Sequence, residues 1–328
     1  MVAVFGLLVL PSLLFAQGRS EDAFERVKEV QERHTDRLMA IEGVEGTAVG
    51  LDRDVRPIVT VFTQDETVAG IPEKLDGVPV QVVVTGKIYA LPKPENPGGG
   101  KPPKEPVDPT ARFERPVPIG VSTGHPAITA GTIGCRVTDG DNVYVLSNNH
   151  VYANENQATI KDPVIQPGTV DGGASPADDI GTLYDFEPID FGGGDNTIDA
   201  AIAATTADLV GKATPSDGYG MPKSRTVEAE FAQVVQKYGR TTGLTKGQVW
   251  ALNATINVGY DSGVAVFVGQ IGIVPLKGEF SAGGDSGSLV VTQKGNPVGL
   301  LFAGGGGWTF ANPIGEVLTR FGVTIDGR

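Results

Sequence analysis

A stretch dense in proline and glycine divides this chain into two parts with different hydrophobic periods. Residues 93–106 read Lys-Pro-Glu-Asn-Pro-Gly-Gly-Gly-Lys-Pro-Pro-Lys-Glu-Pro. Proline removes backbone donors and glycine is costly to order, so the segment 92–112 is expected to be an extended linker rather than helix or central strand. Its Gly-Gly-Gly-Lys is not a phosphate loop, because Pro102 stands where a hydroxyl residue is required. Ahead of the linker, Phe24, Val27, Val30, His34, Leu38 and Ile41 recur at spacings of three and four. That spacing predicts an amphipathic helix over 21–41, stopped near Gly43. Residues 46–51 and 57–62 flank an Asp-Arg-Asp turn and read as a hairpin, with a further strand over 78–89. Residues 21–91 thus form a small α+β module. Beyond Phe113 the pattern changes to short apolar runs broken by Gly, Asn and Asp. Strands are expected over 131–137, 142–147, 199–203, 227–237, 247–258, 264–274, 288–292, 297–303 and 308–312, with a closing helical turn over 317–321. This is an all-β body, sandwich or barrel pair.

Composition narrows the function classes. A net charge of −13 disfavours nucleic acid or an anionic membrane as the main partner. The single cysteine, Cys135, forbids an intrachain disulfide and a Cys/His metal cluster, and reads as a small buried apolar residue. Asp185, Glu187, Asp190 and Asp195, with Asp178 and Asp179, read as solvated turn residues, and no metal or cofactor is expected. The apolar run from Met1 to Ala16 is short for a membrane span and looks like a signal-peptide core with a cut after Ala16. Export to the periplasm or the medium is the expectation.

The chemistry concentrates in Gly283-Gly284-Asp285-Ser286-Gly287-Ser288. A serine between glycines can sit on a tight turn, and the amides of Gly284 and Ser286 can point at one developing oxyanion. A nucleophilic serine needs an imidazole base. His34 lies on the predicted helix and His125 in a loop before Pro126. His150 follows the strand Val143 to Ser147 at a turn, and is the candidate. The imidazole needs a carboxylate to set its tautomer. Asp199 opens the small-residue strand Asp-Ala-Ala-Ile-Ala, where an acid is costly to bury unless partnered.

The order His150, Asp199, Ser286 and the local contexts resemble the chymotrypsin-fold serine peptidases, nearest to the secreted bacterial streptogrisin and α-lytic type. Gly239-Arg240-Thr241-Thr242-Gly243 and Leu252-Asn253-Ala254-Thr255-Ile256-Asn257 are similar to segments of that type, as are Thr309 to Ile314 and Phe321 to Val323. The resemblance implies two six-stranded Greek-key β-barrels with the site between them, His150 as base then acid, Asp199 as its orienter and Ser286 as nucleophile. The amides of Gly284 and Ser286 would form the oxyanion hole. The strand through Phe302, Ala303 and Gly304 would pair with substrate backbone, and Lys237 would pair with Asp285.

The chain departs from that pattern. The family's disulfides are absent, Ser288 replaces a commoner glycine, and Phe302 stands where a serine usually supports the catalytic aspartate. The segment Gly304 to Thr309 is expected to border the primary pocket. With no acid at its base and no spare histidine near Leu301, a small or apolar P1 residue is expected of a polypeptide substrate. The module 21–91 suits a pro-region that binds the protease domain, or else an accessory domain. The alternative from another class is a catalytically silent chymotrypsin-fold binding or scaffold protein, for which Phe302 is the best argument. An α/β-hydrolase fails on the order of its residues.

Overall fold

The computed structural model of the chain describes residues 11–91 and 107–328, with side chains from residue 22 onward. The signal-peptide reading falls partly, and the linker reading mostly, outside the described residues. Among the described residues no helix is long and apolar enough to cross a membrane.

The all-β body consists of two sheet systems. The first is a six-stranded sheet in the order Pro163–Ile165, Asp179–Phe186, Ala201–Thr205, Val143–Ser147, Cys135–Thr138, Thr324–Ile325. A short pair, Ser122–Thr123 with Gly131–Thr132, is linked to it by the bridge from Gly124 to Ile165. The second is a closed six-stranded barrel. Its strands run Val234–Gly239, Gly243–Tyr260, Gly263–Pro275, Trp308–Pro313, Pro297–Gly305 and Leu289–Thr292, and the last returns to the first. Each system has its own apolar core. Val145, Leu146, Ile202, Ala203 and Ile180 fill the first, and Val235, Val249, Ile273, Val290 and Leu301 the second. The closing helix Ile314–Phe321 buries Ile314 and Val317 against the first core and ends at Gly322, whose left-handed φ of 63° lets its amide reach the last carbonyls.

The N-terminal helix runs Pro11–Met39 and is thus longer than its apolar spacing suggested. Val27, Val30 and Leu38 pack on Val44, Val49, Val59 and Val61 of the strands Val44–Leu51 and Pro57–Thr63. Gln31 and Thr35 are also buried on this face. They bond Thr47, and Gln31 also reaches the Asn253 carbonyl, so an apolar count alone misses part of the ridge. The module is not a detached bead. Val44–Leu51 pairs antiparallel with Gly243–Tyr260, so the barrel sheet continues outward into the module.

Several strands differ from expectation. Residues 227–233 are not strand, and only Val234–Gly239 forms, because Ala232 adopts a positive φ of 60° that breaks an extended run. Asp199 lies just before the strand Ala201–Thr205 rather than in it. Asp179–Phe186 is a strand, not turn sequence. Asp178, expected to be solvated, is 4% exposed and bound by Arg112 at 2.6 Å. Asp185 and Glu187 both pair with Arg320. Among the described residues no cluster of ligating side chains is arranged for a metal. Cys135 is buried, which pushes its thiol far above the ordinary range and keeps it protonated.

Candidate active site

The strand Val143–Ser147 runs into a single helical turn, Asn149–Tyr152, which carries His150 to the border between the two sheet systems. Asn148, wholly buried, donates from Nδ2 to the Asp199 carbonyl at 2.7 Å. The Asp199 amide donates to Asn312 Oδ1 at 3.1 Å, and Asn312 in turn donates to Gln270 at 2.8 Å. The first sheet and the barrel therefore hold the Asp199 backbone from both sides. Asn148 and Asn312 lie in segments that carry the resemblance, but neither their role nor that of Gln270 could be read from the sequence, because a buried amide leaves no periodic trace.

The Asp199 carboxylate is fully buried, as its cost in isolation would forbid. Its Oδ1 accepts the His150 amide at 3.2 Å and its Oδ2 lies 2.5 Å from His150 Nδ1. Tyr260 Oη also donates to Oδ2, at 2.9 Å. Nδ1 must carry the proton toward a carboxylate, which leaves Nε2 as the basic nitrogen. Among the described residues, His150 Nε2 and Ser286 Oγ are both buried and have no hydrogen-bond partner. Both line one cavity of 360 Å³, together with Tyr260, Glu155, Thr129 and Leu91.

The other two histidines are differently engaged. His125 Nε2 lies 3.1 Å from Asp162, but its Nδ1 accepts the Ala127 amide at 3.1 Å, so both ring nitrogens are used. His34 pairs with Asp76, which Arg33 also holds. Of the three, His150 alone combines a buried carboxylate partner with an unengaged nitrogen, in the cavity that Ser286 also lines.

Ser286 is set by the loop around it. Gly287 has φ of 90°, and a Cβ there would stand 2.1 Å from Ser147 Oγ and 2.4 Å from the Thr132 carbonyl. Only glycine fits. The amides of Gly284 and Ser286 have no acceptor among the described residues, whereas the intervening Asp285 amide donates to Ala282 at 3.0 Å. The Asp285 carboxylate, also fully buried, accepts the amides of Thr241, Thr242 and Ala282 at 2.9, 3.2 and 3.0 Å and the Thr242 hydroxyl at 2.7 Å. Lys237 Nζ lies 3.4 Å away and is fully buried. It also donates to the Thr242 hydroxyl and the Gly243 carbonyl. Burial pulls the ammonium below its ordinary pKa and the Asp285 charge opposes that. Ser288 ties the loop by donating to the Asp285 carbonyl at 2.6 Å.

Phe302 is buried and packs on Phe267, so its side chain offers no donor to Asp199. Its carbonyl accepts the Leu91 amide at 3.3 Å. Ala90 and Tyr89 pair antiparallel with Ala303 and Gly304. At Gly306 a Cβ would stand 2.6 Å from Thr85 Cα, so the glycine run lets the segment before Leu91 press onto this strand. Leu91 also lines a second cavity with Ser281, Gly304, Trp308 and Thr309, where Glu279 is exposed at the rim.

No family model matches the chain. Streptogrisin-A of Streptomyces griseus is 35% identical over 102 residues, which are 30% of this chain and 32% of that protein. The chain thus spans about a third of the length of that relative. Among solved structures, a glutamic acid specific serine protease overlaps at 23% identity and a TM-score of 0.47, covering 64% of this chain and 100% of its own. Thermobifida fusca Protease A overlaps at 21% and 0.47, covering 65% and 100%. An α-lytic protease homologue, N4, overlaps at 21% and 0.44, covering 63% and 99%. The strand order described above, rather than these overlaps, defines the fold. The two-sheet body and the stretch shared with streptogrisin-A together support a chymotrypsin-fold serine peptidase.

Proposed function

We propose that this protein is a serine endopeptidase acting through Ser286, His150 and Asp199. The observation that carries the reading is the pair of unengaged atoms, His150 Nε2 and Ser286 Oγ, in one cavity with Nδ1 fastened to a buried carboxylate. In this reading Nε2 takes the Ser286 proton as Oγ attacks the substrate carbonyl. The free amides of Gly284 and Ser286 stabilise the oxyanion. The protonated imidazole then gives its proton to the leaving amine, and water hydrolyses the acyl-enzyme by the same steps in reverse. Asp199 holds the tautomer and offsets the imidazolium charge.

The N-terminal module acts as a pro-region that covers the cleft. The antiparallel pairing of Tyr89–Ala90 with the strand Pro297–Gly305 supports this, since an added strand is how an extended peptide is recognised. Leu91 beside Ser281 and Thr309 supports an apolar P1 residue. Export, with removal of residues 1–16 and cleavage within the linker, completes the proposal.

Labelling with a fluorophosphonate is the test. Wild type should label, and Ser286→Ala and His150→Ala should lose the signal by several orders of magnitude. Labelling that survives in Ser286→Ala would sink the assignment, and no Ser286-dependent labelling of the wild type would favour the silent alternative. Intact mass of the exported, active species checks the module: a species still carrying residues 21–91 would exclude its removal.

A further inference from the structure

We infer that Tyr260 is a positioning residue for the Asp199–His150 pair, delivered to it by the tip of the long hairpin Gly243–Tyr260 and Gly263–Pro275. The inference rests on the serine-peptidase reading of the site.

A buried carboxylate exerts its effect through the donors that fix its orientation. Asp199 takes three: the His150 amide on Oδ1, and His150 Nδ1 and Tyr260 Oη on Oδ2. The first two belong to the residue being oriented. Tyr260 is thus the side-chain donor to this carboxylate from outside His150 among the described residues. It reaches across the cleft, because Tyr260 stands on the barrel and Asp199 beside the first sheet. Burial and the Asp199 charge hold the phenol well above its ordinary range, so the hydroxyl keeps the proton that it donates. The Tyr260 ring also lies edge-on to His150 at 5.9 Å and to Phe191 at 5.6 Å, which constrains the imidazole face as well as the acid.

The tip that carries this hydroxyl is itself anchored. Glu155, three residues past the end of the turn that carries His150 and in the same cavity, accepts the Ser262 amide at 2.7 Å and the Asp261 amide at 3.3 Å. On the other side the Gly259 amide donates to the Ile88 carbonyl at 2.9 Å. Tyr260 is therefore presented at a defined height above Asp199. A hydrogen bond to an ionised group in such a site is among the stronger kind, which scales the expected loss.

Tyr260→Phe keeps the ring and removes the hydroxyl. We expect the rate of Ser286 labelling, and kcat for a peptide substrate, to fall about tenfold with KM nearly unchanged. In the intact protein, the proton on His150 Nδ1 should shift downfield in its NMR spectrum, because Oδ2 then accepts from one donor rather than two. A KM effect with kcat unchanged, or an unmoved Nδ1 proton in a folded variant, would overturn the role. The NMR arm needs no turnover, so it fails or succeeds independently of the peptidase assignment. Should the variant not fold, the unaltered chain supplies the test. A slowly exchanging tyrosine hydroxyl proton close to the His150 Nδ1 proton is expected, and its absence would overturn the inference.

Discussion

Two wholly buried carboxylates flank the same serine, and their surroundings differ in kind. Asp285 is held mainly by backbone: the amides of Thr241, Thr242 and Ala282, with the Thr242 hydroxyl and Lys237 added. Those donors are fixed once the barrel closes, and none of them opens on the cavity of His150 and Ser286. Asp199 is held mainly by side chains that line that cavity, His150 Nδ1 and Tyr260 Oη, with the His150 amide added. The same chemical group thus serves two purposes. One fastens the loop that carries Ser286, and in the proposed reading the other orients the His150 imidazole. Burial alone does not distinguish them; what surrounds each carboxylate does.

The comparison can be broken by exchanging charge for shape. Asp199→Asn should leave the thermal unfolding midpoint close to wild type while lowering kcat by about four orders of magnitude, because the wrong imidazole tautomer is then favoured. Comparable turnover in the folded variant would mean that Asp199 is structural, like Asp285. Lys237→Ala should act in the opposite sense. It removes one partner of a buried pair, and the expected cost is about 3–5 kcal/mol of stability by denaturant titration. Unchanged stability and unchanged labelling would show that the four other donors to Asp285 suffice without the lysine.

Asp178 offers the mildest contrast, a buried acid outside the cleft. Arg112 donates to its two oxygens at 2.6 and 2.8 Å and holds the carboxyl below its ordinary pKa, with burial opposing. A lowered carboxylate value contributes stability above the ordinary range that is lost as pH falls through the lowered one. Asp178→Asn should therefore be less stable than wild type at neutral pH, with the gap narrowing in acid. Denaturant titrations from about pH 7 to about pH 2 would show it, and a gap independent of pH would remove the charge from the explanation.

Much of the molecule could be read in the chain. Short apolar runs broken by Gly, Asn and Asp marked the barrel strands, because strands are short and turns need residues that tolerate tight backbone. The helix ridge of Val27, Val30 and Leu38 followed from the period of a helix. Ser286 was visible because its turn demands glycine on either side. His150 and Asp199 could be named because few histidines compete and because an acid beside an apolar strand needs a partner.

Tertiary structure alone decided the rest. Tyr260 and Asp199 are 61 residues apart, and no local period connects a tyrosine at a hairpin turn with an acid beside another sheet. Arg112 and Asp178 are 66 apart, and nothing local connects a turn acid with an arginine that far from it. The seating of Tyr89 to Leu91 on the strand of Phe302 to Gly304 depends on how the module docks through Val44–Leu51. Apolar periodicity is a one-dimensional signal imposed by burial on each element separately. Hydrogen bonds between distant polar groups leave no such signal, because they depend on which elements the fold brings within about 3 Å of one another. The sequence thus determined most of the strands, the helix ridge and the glycine-flanked serine turn, and the packing of two sheets and a module determined what surrounds them.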